Sequence, residues 1–408
     1  MRTEGDLIKI NEWLLPLSWI YGIGVRFRNW LFDVGVKKSK AFSIPVISVG
    51  NITVGGSGKT PHVEYLIRLL QDKMKIAVLS RGYKRKSKGY VLATKDTTMP
   101  EIGDEPFQMH TKFPNIHVAV DAKRARGIEK LQSEEATKDT DVILLDDAFQ
   151  HRYVKPGINI LLVDYHRLII YDKMLPAGRL REPLSGKNRA DIVIITKCPK
   201  DLKPMEFRVL TKALDLYPFQ QLFFTCINYD VPTGVFTNQE LKPVTESSDQ
   251  EDGEILDKAL TALKGYHILL LTGIASPKQM EHDLKPMVAS MTTLAFGDHH
   301  RFKSKDIDRI NTAFESLPEP RIIITTEKDA VRLRESEGLY EKVKANMYAL
   351  PIKVSFMLEQ EDNFNEKIIS YVRKNSRNSI LAKRKDDNKS EDSNHPGDRT
   401  RTISFRNN

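Results

Sequence analysis

The sequence predicts an α/β fold in which a mostly parallel sheet forms the larger part and a smaller α/β unit follows. Short apolar runs alternate with longer segments of helical spacing, a pattern typical of strands buried on both faces of a parallel sheet. A glycine-rich run lies directly after the first such strand, and polar clusters follow several others. The predicted strands of the larger part are Ile44–Val49, Ile76–Ser80, Val142–Leu145, Ile158–Val163 and Ile192–Thr196.

Composition limits the classes of protein that the chain represents. Its 408 residues, 40% of them hydrophobic, are enough to bury a large core and to form two domains. Two cysteines, Cys198 and Cys226, provide no disulfide framework and favour a reducing compartment. The net charge of +9 fits nucleic acid, an anionic membrane or phosphorylated substrates. No basic stripe interleaved with aromatic residues supports nucleic acid, and no obligate protein partner is evident.

The first element is a segment with the composition of a membrane-surface helix. Trp13–Val25 is nearly free of charge, and the basic residues Arg26 and Arg28 follow it. The uncharged run is about 13 residues long, which is shorter than the roughly 20 residues needed to span a bilayer. We expect an interfacial helix. A helix buried against the core is the alternative.

The next element is a glycine-rich loop with the chemistry of a phosphate-binding loop. Its glycines let the backbone curl around anionic oxygens, and a helix predicted over Pro61–Leu70 would direct its N-terminus at the same phosphates. Lys59 would contact the terminal phosphates and Thr60 a magnesium ion, although Thr53 replaces the usual first glycine. The pattern predicts a P-loop NTPase-like core, with an ordinary turn as the alternative. The predicted nucleotide-binding residues are Thr53, Val54, Gly55, Gly56, Ser57, Gly58, Lys59 and Thr60.

Polar clusters at later strand ends complete this predicted site, because open α/β sheets bind ligands at the carboxyl ends of their strands. Asp146 and Asp147 directly follow an apolar strand, which is how phosphate-loop enzymes hold magnesium. Gln150 lies in the loop that follows, and Arg181 lies in a later loop able to contact anionic oxygens. Asp104 lies at the entry to a helix predicted over Pro106–Lys112. On its residues alone, capping of that helix is the better interpretation.

A second, smaller α/β unit is expected after a polar linker. Its predicted strands are His267–Thr272 and Arg321–Thr326, and the cluster Phe296–Phe302 contains His299 and His300. This cluster favours a catalytic histidine, with a metal site or a structural role as alternatives. The expected units are an interfacial helical segment over 1–38, a phosphate-loop core over 39–227, a linker with a polar insert over 228–262, the smaller domain over 263–373 and a disordered tail over 374–408.

Seven motifs in order resemble those of the tetraacyldisaccharide 4′-kinase family, the lipid A 4′-kinases of Gram-negative bacteria. The resemblance covers roughly residues 15 to 370. Family members share the threonine at position 53, whereas Ala148 stands where the family often has glycine. The motifs are VGNITVGGSGKTP, LSRGY, GDEP, DDAFQHR, LPAGRLREP, FGDHHRF and ITTEKDAVR.

The resemblance implies a kinase that transfers the γ-phosphoryl group of ATP to the 4′-hydroxyl of a lipid-linked glucosamine disaccharide, tetraacyldisaccharide 1-phosphate. Mg²⁺ would be the cofactor. Because the acyl chains keep this substrate in a bilayer and ATP is cytoplasmic, the enzyme would work at the cytoplasmic face of the inner membrane, as a peripheral or monotopic protein.

The same resemblance implies roles for individual residues. Asp104 and His299 would form the pair that accepts the hydroxyl proton, and this pair would assemble between the two units. Lys59 and Arg181 would neutralise charge during transfer. The supporting residues would be Arg124, Gln150 and Glu182, and the magnesium ligands would be Thr60, Asp146 and Asp147.

A nucleotide-dependent switch, similar to a GTPase and acting through a partner protein, is the alternative function. Its guanine-binding loop would lie at Ile195–Asp201. The usual N-K-x-D spacing is absent there, because Pro199 occupies the position that needs aspartate. Preference for one nucleotide base distinguishes the two hypotheses.

Overall fold

A computed structural model describes residues 10–237, 239–243, 261–274, 277–297 and 300–375 of the chain. Several predictions fall wholly or partly outside these residues: the segment over 1–38, the linker over 228–262 with its polar insert, the role of His299, and the tail over 374–408. Lys374 and Asn375, the first two residues of the expected tail, still belong to a helix.

Nine strands of the described chain form a large sheet in the order β14-β8-β7-β6-β1-β5-β2-β4-β3. Its inner pairs are parallel, and only the edge pairs β3–β4 and β14–β8 are antiparallel. This confirms the predicted α/β fold. The strands are β1 Val46–Gly50, β2 Ile76–Ser80, β3 Val91–Leu92, β4 His117–Val120, β5 Val142–Asp146, β6 Ile158–Asp164, β7 Ile192–Thr196, β8 Gln221–Tyr229 and β14 Ile352–Phe356.

The strands at the centre of this sheet are buried along their whole length. Every residue of β1, β2, β5 and β7 is shielded from solvent, as expected for parallel strands covered on both faces. The strand β1 begins two residues later than predicted, at Val46. Pro45, which lacks an N–H group, contributes only its carbonyl oxygen, which accepts a hydrogen bond from the Ile143 N–H at 2.9 Å.

Helices cover both faces of the large sheet and flank the small one. The longest lies at the N-terminus, and the last covers residues 361–375. The others are shorter. They are α1 Leu15–Asp33, α2 Lys59–Leu70, α3 Met99–Ile102, α4 Asp104–Lys112, α5 Arg124–Ser133, α6 Pro204–Leu214, α7 Lys278–Leu284, α8 Ser304–Glu315, α9 Glu327–Arg334 and α10 Glu341–Ala345.

A second, small sheet has the strand order β11-β10-β12-β13-β9 in the described chain. The strands β10 and β12 match the predicted bounds, and β9 pairs antiparallel with β13 at one edge. The first part of the expected linker over 228–262 therefore belongs to the sheets: β8 continues to residue 229, and β9 joins the small sheet. The strands are β9 Thr233–Gly234, β10 His267–Thr272, β11 Ser290–Ala295, β12 Arg321–Thr326 and β13 Met347–Leu350.

The end of the described chain returns to the large sheet. The strand β14 pairs antiparallel with β8, in a register that joins Ile352 to Tyr229. The helix over 361–375 then buries Phe364, Ile368 and Val372 in the core of the large sheet. These residues follow a spacing of four and form one helical stripe. The sheets thus divide the chain differently from the expectation that 263–373 form the smaller unit, since residues 352–375 belong with the large sheet.

The N-terminal helix α1 is continuous in spite of Pro16, Gly22 and Gly24, because Pro16 lies in its first turn, where an N–H group has no helical partner. Its buried face includes Ser18 and Phe32. Large apolar side chains project from it into solvent. Within the described residues, no helix combines the length and the apolar character needed to cross a bilayer.

Candidate active site

The predicted phosphate loop lies between β1 and α2, at the carboxyl end of β1. Gly55 and Gly58 have positive φ angles of 119° and 81°, where a residue with a side chain is strained. The helix α2 begins at Lys59, two residues earlier than predicted, because Pro61 fits in its first turn. The first N–H groups of α2 therefore border the loop, which is the arrangement that binds phosphate at a helix N-terminus.

A second loop supports the phosphate loop by backbone pairing. The Val54 N–H donates to the Arg179 carbonyl at 2.8 Å, and the Arg181 N–H donates to the Ile52 carbonyl at 2.8 Å. Inside the phosphate loop, the Asn51 amide donates to the Ser57 hydroxyl at 2.7 Å. This pairing fixes the backbone of Arg181 beside the phosphate loop, so the sequence-predicted cation and the sequence-predicted loop meet.

Two predicted cations and two predicted carboxylates converge at the end of β5. Lys59 Nζ lies 3.7 Å from Asp147 Oδ1, and Arg181 Nη1 lies 3.4 Å from Asp147 Oδ2. Asp146 is the last residue of β5 and is almost fully buried, and its Oδ2 accepts a hydrogen bond from Ser80 Oγ at 3.0 Å. The structure therefore brings together residues that are up to 122 positions apart, Lys59 and Arg181.

The two adjacent carboxylates differ in acidity. Burial raises the pKa of Asp146 to about 7, and the negative charges of Glu105 and Asp147 act in the same direction. Burial also acts to raise the pKa of Asp147, but the charges of Lys59 and Arg181 outweigh it and hold this pKa below its usual value. Asp147 is consequently the carboxylate that is ionised throughout the physiological range.

The donor set at this point fits a magnesium ion. Asp146 Oδ1 and Asp147 Oδ1 are both shielded from solvent and have no hydrogen-bond partner among the described residues, and Asp147 Oδ1 has only the Lys59 ammonium group, 3.7 Å away, as its ion-pair partner there. Buried oxygens without donors are costly unless a cation or an ordered water completes them. Among the same residues, no group of three or more His, Cys, Asp or Glu side chains forms a metal site. Mg²⁺ typically needs fewer protein ligands than this, since waters and phosphate oxygens complete its coordination.

Arg124 supports this cluster from behind. Its buried guanidinium donates to the Asp121 carbonyl at 2.8 Å and to the Asp146 carbonyl at 3.1 Å. Burial lowers the pKa of Arg124 to about 10, which leaves the group charged at neutral pH. Arg124 thus fixes the end of β5 and adds positive charge beneath the carboxylates.

Gln150 and Glu182 connect the phosphate loop to α1. The Gln150 side chain donates to the Asn51 carbonyl, and the Gln150 carbonyl accepts from Arg28 at 2.9 Å. Glu182 is buried and pairs with Arg189 at 2.5 Å and with Arg28 at 3.9 Å. These two predicted supporting residues therefore join the N-terminal helix to the site.

Asp104 lies at the first position of α4, after Gly103, which adopts a φ of 92°. Gly103 is the N-cap residue, so the capping role considered for Asp104 from its residues alone is wrong. The Asp104 carboxylate instead contacts Arg332 on α9, whose Nε donates to Asp104 Oδ2 at 3.1 Å.

Of the two histidines in the cluster after β11, only His300 is among the described residues. Its ring stacks on Phe296 at a centroid distance of 4.8 Å, and its Nε2 lies 2.9 Å from Asp306 Oδ2. His300 therefore has a structural role at the start of α8. His299 lies outside the described residues, so its predicted pairing with Asp104 stays a prediction.

Three polar residues of the site were not predicted from the sequence: Ser80, Asn51 and Arg332. The motif ITTEKDAVR contains Arg332, but nothing in the motif indicated its partner. That partner, Asp104, lies 228 positions earlier in the chain. A pairing between residues so far apart in the sequence becomes visible only when the positions of the two sheets in the fold are known.

The buried pair of Glu182 and Arg189 gives a test of this arrangement. We expect Glu182→Ala to lower the free energy of unfolding by about 2–4 kcal/mol, because it leaves a partly buried guanidinium without its carboxylate. The matched control is Glu129→Ala, which removes an exposed pair with Lys40 and should cost less than about 1 kcal/mol. Urea denaturation followed by circular dichroism measures both. Equal losses in the two variants would contradict the assigned role of Glu182.

Comparisons with known proteins find similar sequences over nearly the whole chain. The sequence model of the family described as tetraacyldisaccharide-1-P 4′-kinase matches residues 10–373. A tetraacyldisaccharide 4′-kinase of Phocaeicola vulgatus is 58% identical over 377 residues, which are 92% of this chain and 99% of that protein. The protein of the same name from Bacteroides thetaiotaomicron is 52% identical over 383 residues, 93% of this chain and 98% of that protein.

A solved structure has the same fold. LpxK from Aquifex aeolicus, determined in complex with ATP, superimposes with a TM-score of 0.63 at 29% sequence identity. The match covers 88% of this chain and 98% of that one. With a family match over residues 10–373 and relatives of more than 50% identity over nearly the whole length, the chain belongs to the tetraacyldisaccharide-1-P 4′-kinase family.

Proposed function

We propose that this chain transfers the γ-phosphoryl group of ATP to the 4′-hydroxyl of tetraacyldisaccharide 1-phosphate, a step of lipid A biosynthesis. The observation that carries the proposal is the convergence of Lys59 and Arg181 on Asp147 at the mouth of a phosphate loop, in a member of this family. Relatives of high identity bear the name of this activity, and the related Aquifex aeolicus structure is a complex with ATP.

The phosphate loop is the proposed site for the triphosphate of ATP. Backbone N–H groups of residues 53–60, together with the N-terminus of α2, supply donors and a positive dipole for anionic oxygens. Lys59 is placed to neutralise the terminal phosphates, and Arg181 approaches from the facing loop. Phosphoryl transfer depends chiefly on such positioning and charge neutralisation.

Thr60, Asp146 and Asp147 are the proposed residues that hold Mg²⁺ with ATP. A bound Mg²⁺ ion supplies neutralisation of charge between the phosphate groups. The Asp146 and Asp147 oxygens without hydrogen-bond partners support this assignment. Lys59 lies beside Asp147, so the cation and the carboxylate are held in one small volume.

Asp104 is the proposed acceptor of the hydroxyl proton, together with His299. In the transfer, the 4′-oxygen forms a bond to the γ-phosphorus while the bond from that phosphorus to the β,γ-bridging oxygen breaks. ADP leaves with the electron pair of the broken bond, and the hydroxyl proton passes to the Asp104–His299 pair. Asp104 begins α4 and is followed by Glu105, whose negative charge raises the pKa of Asp146. This proximity to Asp146 supports a place for Asp104 near the reacting atoms.

The N-terminal helix α1 is the proposed contact with the membrane that holds the lipid substrate. Trp19, Ile23 and Phe27 recur at a spacing of four and are 70%, 64% and 59% exposed. Another part of the α1 surface contacts the site, since the Arg28 guanidinium donates to the Gln150 backbone carbonyl at 2.9 Å. An exposed apolar stripe of this kind fits an interfacial helix. We infer a peripheral association with the cytoplasmic face of the inner membrane.

Transfer of label tests the proposed reaction. Purified protein in detergent micelles with Mg²⁺, ATP labelled at the γ-phosphate and tetraacyldisaccharide 1-phosphate should form a labelled bisphosphorylated lipid. We expect Asp104→Ala to reduce turnover by about 10²–10⁴-fold, because it removes a proton acceptor, while ATP binding changes little. The control Asp139→Ala alters an exposed carboxylate that pairs with Lys75 and should keep full activity. Absence of labelled lipid with folded, ATP-binding protein would contradict the proposal.

Vesicle binding tests the proposed role of α1. Replacing Trp19, Ile23 and Phe27 together with serine should weaken sedimentation with anionic phospholipid vesicles by about 10–100-fold, since the variant loses apolar area that enters the interface. The control replaces Met205, Val209 and Phe219, which are comparably exposed elsewhere on the surface, and should bind like the unmodified protein. Equal binding by both variants would exclude α1 as the membrane contact.

A further inference from the structure

We propose that Arg332 is a positioning residue that orients Asp104 for the transfer reaction from the opposite side of the interface between the two sheets. The inference rests on the proposed function, since it concerns the carboxylate assigned there to the hydroxyl proton. Arg332 lies on α9, directly after the small sheet's strand β12, whereas Asp104 begins α4 in the layer that covers the large sheet.

The contact between the two side chains is well defined. Arg332 Nε donates to Asp104 Oδ2 at 3.1 Å, and Nη2 donates to the same oxygen. The Arg332 side chain is only 5% exposed, so solvent competes little for these hydrogen bonds. Because two donors of one planar group meet Oδ2, rotation of the Asp104 carboxylate is restricted.

Arg332 is itself held in place by a buried anchor. Its Nη1 donates to Asp329 Oδ1 at 3.0 Å. Asp329 is fully buried, and its Oδ2 accepts hydrogen bonds from the Gly273 N–H at 2.8 Å and from Thr326 Oγ1 at 2.7 Å. Gly273 follows β10 and Thr326 ends β12, so the guanidinium is fixed relative to two central strands of the small sheet.

These hydrogen bonds form a continuous connection from the ends of β10 and β12 to Asp104. The orientation of Asp104 therefore depends on how the small sheet sits against α4. Two further ion pairs cross the same interface: Lys112 with Glu327 at 2.5 Å and Lys328 with Glu105 at 3.6 Å. These two ion pairs hold α9 against α4, but neither of them includes Asp104. Of the cross-interface residues named here, Arg332 is the one that both holds α9 against α4 and orients the Asp104 carboxylate.

A purely structural role for Arg332 makes a different prediction from a positioning role. If Arg332 only docked α9 on α4, its loss would act like the loss of the neighbouring Lys112–Glu327 pair. If it orients Asp104, its loss should lower kcat while ATP binding, which occurs at the phosphate loop, stays the same. Lysine in its place should restore the activity only in part, because an ammonium group cannot contact Asp104 and Asp329 with the fixed geometry of a guanidinium.

The experiment compares the full-length protein with Arg332→Ala, Arg332→Lys and Glu327→Gln in the labelled-lipid assay, with kcat and the KM for ATP measured separately. We expect Arg332→Ala to lower kcat by about 10–100-fold, the range that misplacement of a reacting group produces. The KM for ATP should stay within about twofold, and Arg332→Lys should fall between Arg332→Ala and the unmodified protein. Glu327→Gln removes a cross-interface ion pair without touching Asp104 and should keep kcat within about twofold.

Two results would overturn the inference alone: an unchanged kcat in Arg332→Ala, or an equal loss of kcat in Glu327→Gln. Should Arg332→Ala fail to fold, Arg332→Lys decides, since full activity in that variant would also overturn the inference. Transfer by the unmodified protein must be seen in the same assay. If the unmodified protein forms no labelled lipid, the proposed function fails, and this inference fails with it.

Discussion

The balance of charge at the carboxyl end of β5 is the constraint on which the rest of the site depends. Two adjacent carboxylates, Asp146 and Asp147, lie there in largely buried positions, where unpaired negative charges are costly. Lys59 and Arg181 offset this cost by approaching Asp147 from two different loops. The pairing of β5 with β1 sets these groups side by side. The positive charges of Lys59 and Arg181 also suit the anionic phosphates of ATP.

The two sheets contribute unequally to this chemistry. The large sheet supplies the phosphate loop, the carboxylates and Arg181, whereas the small sheet supplies the anchor of Arg332. The chain leaves the large sheet at Tyr229 and returns at Ile352, and these two residues are register partners in β8 and β14. The two chain connections between the sheets therefore lie side by side, at the edge of the large sheet formed by β8 and β14. The contact between Asp104 and Arg332 lies between the sheets, so it forms only when the two sheets are correctly placed relative to each other.

Much of the fold follows from the sequence, because buried parallel strands are continuous apolar runs. β2, β7, β10 and β12 match their predicted bounds, and Lys59, Asp147 and Arg181 meet as the motifs indicated. Two features were beyond sequence reasoning. The helix over 361–375 has a clear apolar stripe, but a stripe does not identify the sheet that it covers. The pairing of Asp104 with Arg332 joins residues 228 positions apart, and local patterns carry no information on such contacts.

We infer that the phosphate loop and Asp104 face one another across a bound nucleotide and a lipid hydroxyl. A crystal structure with Mg²⁺, a non-hydrolysable ATP analogue and tetraacyldisaccharide 1-phosphate tests it most directly. We expect triphosphate oxygens along residues 53–60 and the 4′-hydroxyl within about 2.6–3.2 Å of the Asp104 carboxylate, the range of a proton-transfer hydrogen bond. A 4′-hydroxyl bound away from Asp104, or a triphosphate outside the loop, would contradict it.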